Sequence, residues 1–137
     1  MTSLNVIENK MALIQKYLKI LEGYKSKSKA EIENDVTLKG AVERYLYLVS
    51  QASLDLAEAV IAFKKFRKPP FYSASFEVLE EEKMIDSLLA KKLTRMAGFR
   101  NILAHDYAAL DFDIVYTILQ KGLRDINEFV KQVEKEF

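Results

Sequence analysis

Cysteine and tryptophan are both absent from this chain of 137 residues, and histidine occurs once. Without cysteine there is no disulfide, no thiolate metal site and no cysteine nucleophile. A single histidine makes a His-based metal centre improbable, because zinc ordinarily takes several His, Cys or carboxylate ligands. Four glycines and two prolines are few, which favours long uninterrupted helices. No stretch approaches the roughly 18 consecutive apolar residues of a membrane span. The N-terminus, Met1-Thr2-Ser3-Leu4, has no basic segment leading into an apolar run, so it does not read as a secretory signal, and the cytoplasm is the expected compartment. An excess of charge of one sign is also lacking. Lys and Arg number 21 against 20 Asp and Glu, a formal charge of +1. That balance gives no global footprint for nucleic acid, so a surface for RNA has to be local.

Half of the residues are hydrophobic and 30% are charged, the balance of a well-packed soluble chain. The length suits one domain over residues 1–137. Apolar residues recur at helical spacing in three stretches. The first runs Leu4, Ile7, Met11, Ile14, Leu18, Leu21. The second runs Leu38, Val42, Tyr45, Val49, Ala52, Leu56, Ala59, Phe63, and the third Leu119, Leu123, Ile126, Val130, Val133, Phe137. Each pattern lays one apolar stripe along a helix, and no segment alternates with period two. Gly23 closes the first helix, Ser28 with Glu31 reads as a capping box, and Asp35 or Thr37 caps a long helix ending near Lys68 before Pro69-Pro70. Residues 71–82 read as a loop and a short helix. Asp86 caps a helix over about 87–104, and Asp111 caps the last one. The fold class is all-α, an antiparallel bundle of four to five helices.

One position breaks the pattern. On the helix after Asp86 the stripe runs Leu89, Leu93, Met96, Arg100, Leu103, five positions within a narrow arc at about 100° per residue. Arg100 stands where an apolar residue is expected, and a buried arginine costs several kcal/mol unless it is paired or lines a wet cleft. Asn101 follows it, and His105 and Tyr107 lie shortly beyond. A purely structural account exists for each residue. Arg100 could pair with Glu43 or Asp55 on the long helix, His105 could cap a helix C-terminus, and Tyr107 could be core. Arg and His on one seam suggest an anion site without saying which.

The segment from Arg100 to Tyr107 fits the R-x4-H-x-Y signature of HepT-like proteins in the HEPN superfamily, and a polar residue after the arginine, here Asn101, is usual there. Such a match arises by chance on the order of once in a few hundred sequences of this size. Context adds to it. Met96-Ala97-Gly98-Phe99 resembles the family's lead-in, and Ala41-Val42-Glu43-Arg44 with Leu54-Asp55-Leu56-Ala57 resembles its long helix. Pro70, Tyr72, Phe76 and Leu79 resemble its loop and short helix, so the resemblance spans essentially the whole chain.

The resemblance implies a homodimeric endoribonuclease, the toxin of a toxin–antitoxin pair, working without metal or other cofactor. It implies Arg100 and His105 as catalytic residues and Asn101 in support. It also implies Tyr107 as the residue to which an MntA-like minimal nucleotidyltransferase antitoxin transfers AMP. The residue types suit this chemistry. A metal-free cleavage can use the RNA's own 2′-OH as nucleophile. His105 has the one side chain that titrates near neutrality, and the Arg100 guanidinium matches a phosphate. One histidine per chain is awkward for acid–base work on two opposite oxygens, and a two-fold dimer brings two copies to one cleft.

Lys64, Lys65, Arg67 and Lys68 cluster at the end of the long helix, and Lys91, Lys92 and Arg95 precede Arg100. These are candidate contacts to RNA, tRNA or mRNA, set against the ordinary alternative of solvated helix faces. Two other functions remain open from the residues. One is a non-catalytic nucleotide- or partner-binding helical subunit of a nucleotidyltransferase. The other is a structural helical dimer in which Arg100 is salt-bridged internally.

Overall fold

A computed structural model of the chain describes residues 3–105 and 111–137, with the backbone alone at Ala104 and His105. Seven α-helices form the described part. Helix α1 (Leu4–Glu22) begins where the Ser3 hydroxyl accepts from the Val6 amide, and Gly23 ends it. The short α2 (Lys29–Glu33) carries the expected capping box, Ser28 and Glu31 each accepting from the other's backbone N–H. Asp35 caps α3 (Val36–Lys64) by accepting from Leu38. A 3-10 turn at Tyr72–Ala74 leads into α4 (Ser75–Glu81). Asp86 accepts from the Leu89 amide at 2.8 Å at the start of α5 (Ser87–His105). Asp111 caps α6 (Phe112–Thr117), followed by a π turn at Ile118–Gly122 and by α7 (Leu123–Glu134).

Two expectations are corrected. Helix α3 stops at Lys64, one turn short of the predicted end near Lys68. The stop comes from the chain reversing into the left-handed region at Lys65 (φ 58°), where the Phe66 amide donates to Ile61 at 3.0 Å and the Lys65 amide to Ala62. That is a Schellman ending, and it tucks Phe66 against the core before the prolines are reached. The last helix, predicted as one piece, is interrupted by the π turn. The interruption keeps Leu119, Leu123, Ile126, Val130 and Val133 on the buried side.

The bundle is assembled by apolar stripes meeting. Lys10 lies near Asp55 and Tyr17 near Tyr45, so α1 runs antiparallel along α3. Asp86 bonds Gln132 and Lys92 pairs with Asp125, so α5 and α7 are antiparallel too. Phe76 of α4 meets Phe129 of α7 edge to face, ring centroids 5.4 Å apart, and both are fully buried. Buried residues from α1 through α7 join in a single cluster. Among the described residues α3 alone has the length and apolarity of a membrane-crossing helix, a property that runs of strictly apolar residues did not reveal. In its most apolar window 61% of the residues are buried inside the bundle, which marks it as the central core helix.

Candidate functional site

The site grows from the seam between α3 and α5. Gln51 and Asp55 are four residues apart on α3, so they share one face of that helix. Arg100 comes from α5, half-buried on the stripe that predicted it. Its Nη1 donates to Gln51 Oε1 at 2.6 Å, and its Nη2 donates to the amide oxygen of Asn101. Gln51 Nε2 in turn donates to Asp55 Oδ1 at 3.0 Å and to the Tyr72 hydroxyl at 3.2 Å. The Tyr72 hydroxyl donates to the same Asp55 oxygen, while Lys10 Nζ stands 3.9 Å from Asp55 Oδ2. Three helices and the 3-10 turn therefore converge on one half-buried polar network.

The direction of this network is set by proton count. Guanidinium can only donate and an ionised carboxylate can only accept, so the Gln51 amide must turn its oxygen to Arg100 and its nitrogen to Asp55. Burial first, and then the hydrogen bond and charge of Asp55, hold the Tyr72 phenol well above its ordinary ionisation range. Tyr72 thus stays a donor at any neutral pH. Among the described residues Arg100 Nε is buried and meets no hydrogen-bond partner, and such an unmet donor costs about 1–3 kcal/mol.

The structural alternative of an Arg100 ion pair with Glu43 or Asp55 is not what forms. Among the described residues Arg100 meets neither carboxylate directly, and Asp55 reaches it only through the Gln51 amide. Glu43 sits two turns earlier on α3, where burial raises its carboxyl above the ordinary value against the pull of Lys39. The backbone of His105 closes α5, its side chain lying outside the described residues, and Tyr107 lies outside them altogether.

The candidate basic residues separate into two groups. Lys92 and Arg95 line a cleft of about 450 Å³ between α5 and the π turn, together with Lys121 and Arg124, over a floor that includes Met96 and Phe99. Lys92 is held by Asp125 at 3.6 Å, while Arg95, Lys121 and Arg124 are exposed. The group at the end of α3 is already engaged or remote. Arg67 makes a two-pronged bond to Glu81 at 2.6 and 2.8 Å, and the Lys64 ammonium lies 5.1 Å from the Phe137 ring. Lys65 turns the chain and with Lys68 borders another cavity, which Pro69 and Tyr72 also line, and Lys64 is about 20 Å along the helix from Gln51. Among the described residues no group of three or more His, Cys, Asp or Glu is placed to hold a metal ion.

Sequence reasoning missed Gln51 and gave Tyr72 no role. A signal for Gln51 was present, since Gln51 and Asp55 are polar residues at helical spacing inside the most apolar stretch of the chain. Lys121 and Arg124 were missed because they enter the cleft only through the folding of the C-terminal helices onto α5.

Known proteins resemble this chain over nearly its whole length. The "mRNA nuclease HepT" of Shewanella oneidensis is 29% identical over 132 residues, 96% of this chain and 98% of that protein. The "tRNA nuclease HepT" of Aphanizomenon flos-aquae is 26% identical over 93% of this chain and 87% of its own length. Among solved structures, a tri-AMPylated Shewanella oneidensis HEPN toxin in complex with MNT antitoxin superposes with a TM-score of 0.89 at 28% identity, over 97% of this chain and 99% of that one. The family profile described as Ribonuclease HepT-like matches residues 14–133, and with the all-α fold and the seam around Arg100 it establishes that the chain belongs to the ribonuclease HepT-like family.

Proposed function

We propose that this chain is a metal-independent endoribonuclease, the toxin of a HepT/MntA-type toxin–antitoxin pair, acting in the cytoplasm as a homodimer. The observation that carries the reading is Arg100, an arginine on a core-facing seam whose described partners are two amide oxygens, Gln51 and Asn101. Among the described residues no carboxylate pairs with it. In the reaction the RNA 2′-OH attacks the adjacent phosphorus, the P–O5′ bond breaks, and a 2′,3′-cyclic phosphate and a free 5′-OH result. One proton leaves the 2′-OH and one reaches the departing 5′-oxygen, and two copies of His105 across a two-fold cleft serve these steps. Arg100 stabilises the charge that builds on the non-bridging oxygens, and Asn101 orients it. Arg95, Lys121 and Arg124, with Lys92, form the track that holds the flanking phosphates.

The antitoxin is an MntA-like nucleotidyltransferase that transfers AMP from ATP to Tyr107. The phenolic oxygen attacks the α-phosphorus and loses its proton as the α–β bond breaks and pyrophosphate departs. Nucleotide bulk and negative charge beside Arg100 and His105 then bar RNA phosphate from the cleft. Two relatives bear the names of an mRNA and a tRNA nuclease, so RNA is the substrate class and both kinds of RNA belong in the assay. His105→Ala and Arg100→Ala are each expected to abolish cleavage of tRNA and mRNA while the dimer stays folded, and co-expression with the antitoxin is expected to add AMP mass to the peptide holding Tyr107. Cleavage at the unsubstituted rate in either variant would refute the catalytic assignment, and an unmodified Tyr107 in a neutralised toxin would refute the AMP mechanism.

A further inference from the structure

A half-buried arginine is ordinarily met by a carboxylate, because charge pairing offsets its desolvation. Here the carboxylate is present but displaced by one turn. Asp55 takes the nitrogen of Gln51, takes the hydroxyl of Tyr72 and faces Lys10, while the guanidinium receives only the Gln51 oxygen from α3. The amide cannot be turned round without setting donor against donor at Arg100 and acceptor against acceptor at Asp55.

We propose that Gln51 is a positioning residue that fixes Arg100 toward an RNA phosphate while leaving its positive charge uncancelled, with Asp55 and Tyr72 locking the amide's direction. The proposal deepens the reading of Arg100 as the phosphate-binding cation and rests on it. A neutral acceptor orients the guanidinium without competing for it. A carboxylate at the same place would also accept from the guanidinium, yet every incoming phosphate would then have to displace a charged partner. Position 51 therefore separates holding from neutralising. Tyr72 and Asp55 contribute by holding the amide from its nitrogen side, away from the guanidinium.

Gln51→Glu has nearly the same shape and tests this separation. It is expected to keep the dimer but to melt lower, because its carboxylate meets Asp55 acceptor to acceptor, while cleavage of bulk tRNA and of a short labelled RNA falls by about 100-fold. Asp55→Asn beside it is expected to restore the melting point and not the cleavage. Gln51→Ala leaves the charge but not the placement, and is expected to lose about tenfold, in kcat more than in KM. Gln51→Glu cleaving within about twofold of the unsubstituted rate, or no more impaired than Gln51→Ala, would overturn the proposal. A second arm is independent of nuclease activity. In protein carrying 15N-arginine, pyrophosphate is expected to shift the Arg100 guanidinium resonances, and to shift them far less in Gln51→Glu. Equal responses, or none in the unsubstituted protein, would overturn the proposal too. A protein that cleaves neither RNA while Arg100 still answers pyrophosphate in the expected way would instead fail the nuclease reading and leave Gln51 in its role.

Discussion

At the scale of single residues, side chains that bond their own neighbourhood were the legible ones. Ser28, Asp35, Asp86 and Asp111 cap as expected because each bonds a backbone amide within three residues, and that chemistry is local. Gln51 is the opposite case, since its meaning depends on a partner from another helix. Arg100 lies between the two, visible as an anomaly in a stripe and opaque as to what would meet it. Lys65 and Lys83 were invisible for a different reason. Both adopt left-handed backbone, φ 58° and 59°, without the glycine that normally announces such a turn. At Lys83 the Met84 amide donates to Leu79 at 2.9 Å, so tertiary packing of Met84 and Ile85 holds a conformation that costs an L-residue about 1–2 kcal/mol. Lys83→Gly removes that cost and loses part of the gain to unfolded-chain entropy, so a net stabilisation of about 0.5–1 kcal/mol is expected. A thermal midpoint a few degrees higher at unchanged RNA cleavage would show it, and a lower midpoint would contradict the strain argument.

At the scale of elements, helix positions followed from periodicity and the ends did not always. The prolines marked where α3 could not continue, yet the helix had already ended where Phe66 could reach the core. The π turn left no trace in the pattern, because spacings of four from Val115 through Leu119 to Leu123 read as an unbroken stripe. Lys121 lies within this turn and Arg124 just beyond it, and both share a cleft with Arg95. The two basic groups can therefore be separated by experiment. Replacing Arg95, Lys121 and Arg124 together by Ala is expected to weaken binding of a labelled RNA and to lower the slope of log Kd against log salt by about 2–3. Replacing Lys64, Lys65 and Lys68 is expected to change that slope by less than about one. The reverse ranking would move the phosphate track to the end of α3.

At the scale of the whole molecule, the neutral charge balance and the single histidine lead to the same arrangement. With a formal charge of +1 the proposed RNA contact has to be a local surface, and with one histidine the proposed acid–base pair needs a second copy. Part of this was legible as counting, while the cleft itself arises from the packing of α5 against the C-terminal helices. The network behind Arg100 makes the pH dependence specific. Tyr72 is held above its ordinary value of 10.0, so its donated hydrogen bond is fully present below that pH and is lost only as pH rises through the higher folded value. Across the neutral range the Arg100 scaffold therefore keeps its Tyr72 bond, so a change of rate there would come from the proposed acid–base groups. In the proposed dimer two copies of His105 would share one cleft and act as a coupled pair, one as base and one as acid. The rate of RNA cleavage is expected to follow a bell with both limbs within about two units of neutrality. Tyr72→Phe is expected to lower the bell without moving its limbs, because it loosens Gln51 and leaves the histidines alone. A profile that only rises with pH would argue for one histidine acting as base and against the shared cleft, and a shifted limb in Tyr72→Phe would place that phenol in the proton transfer itself.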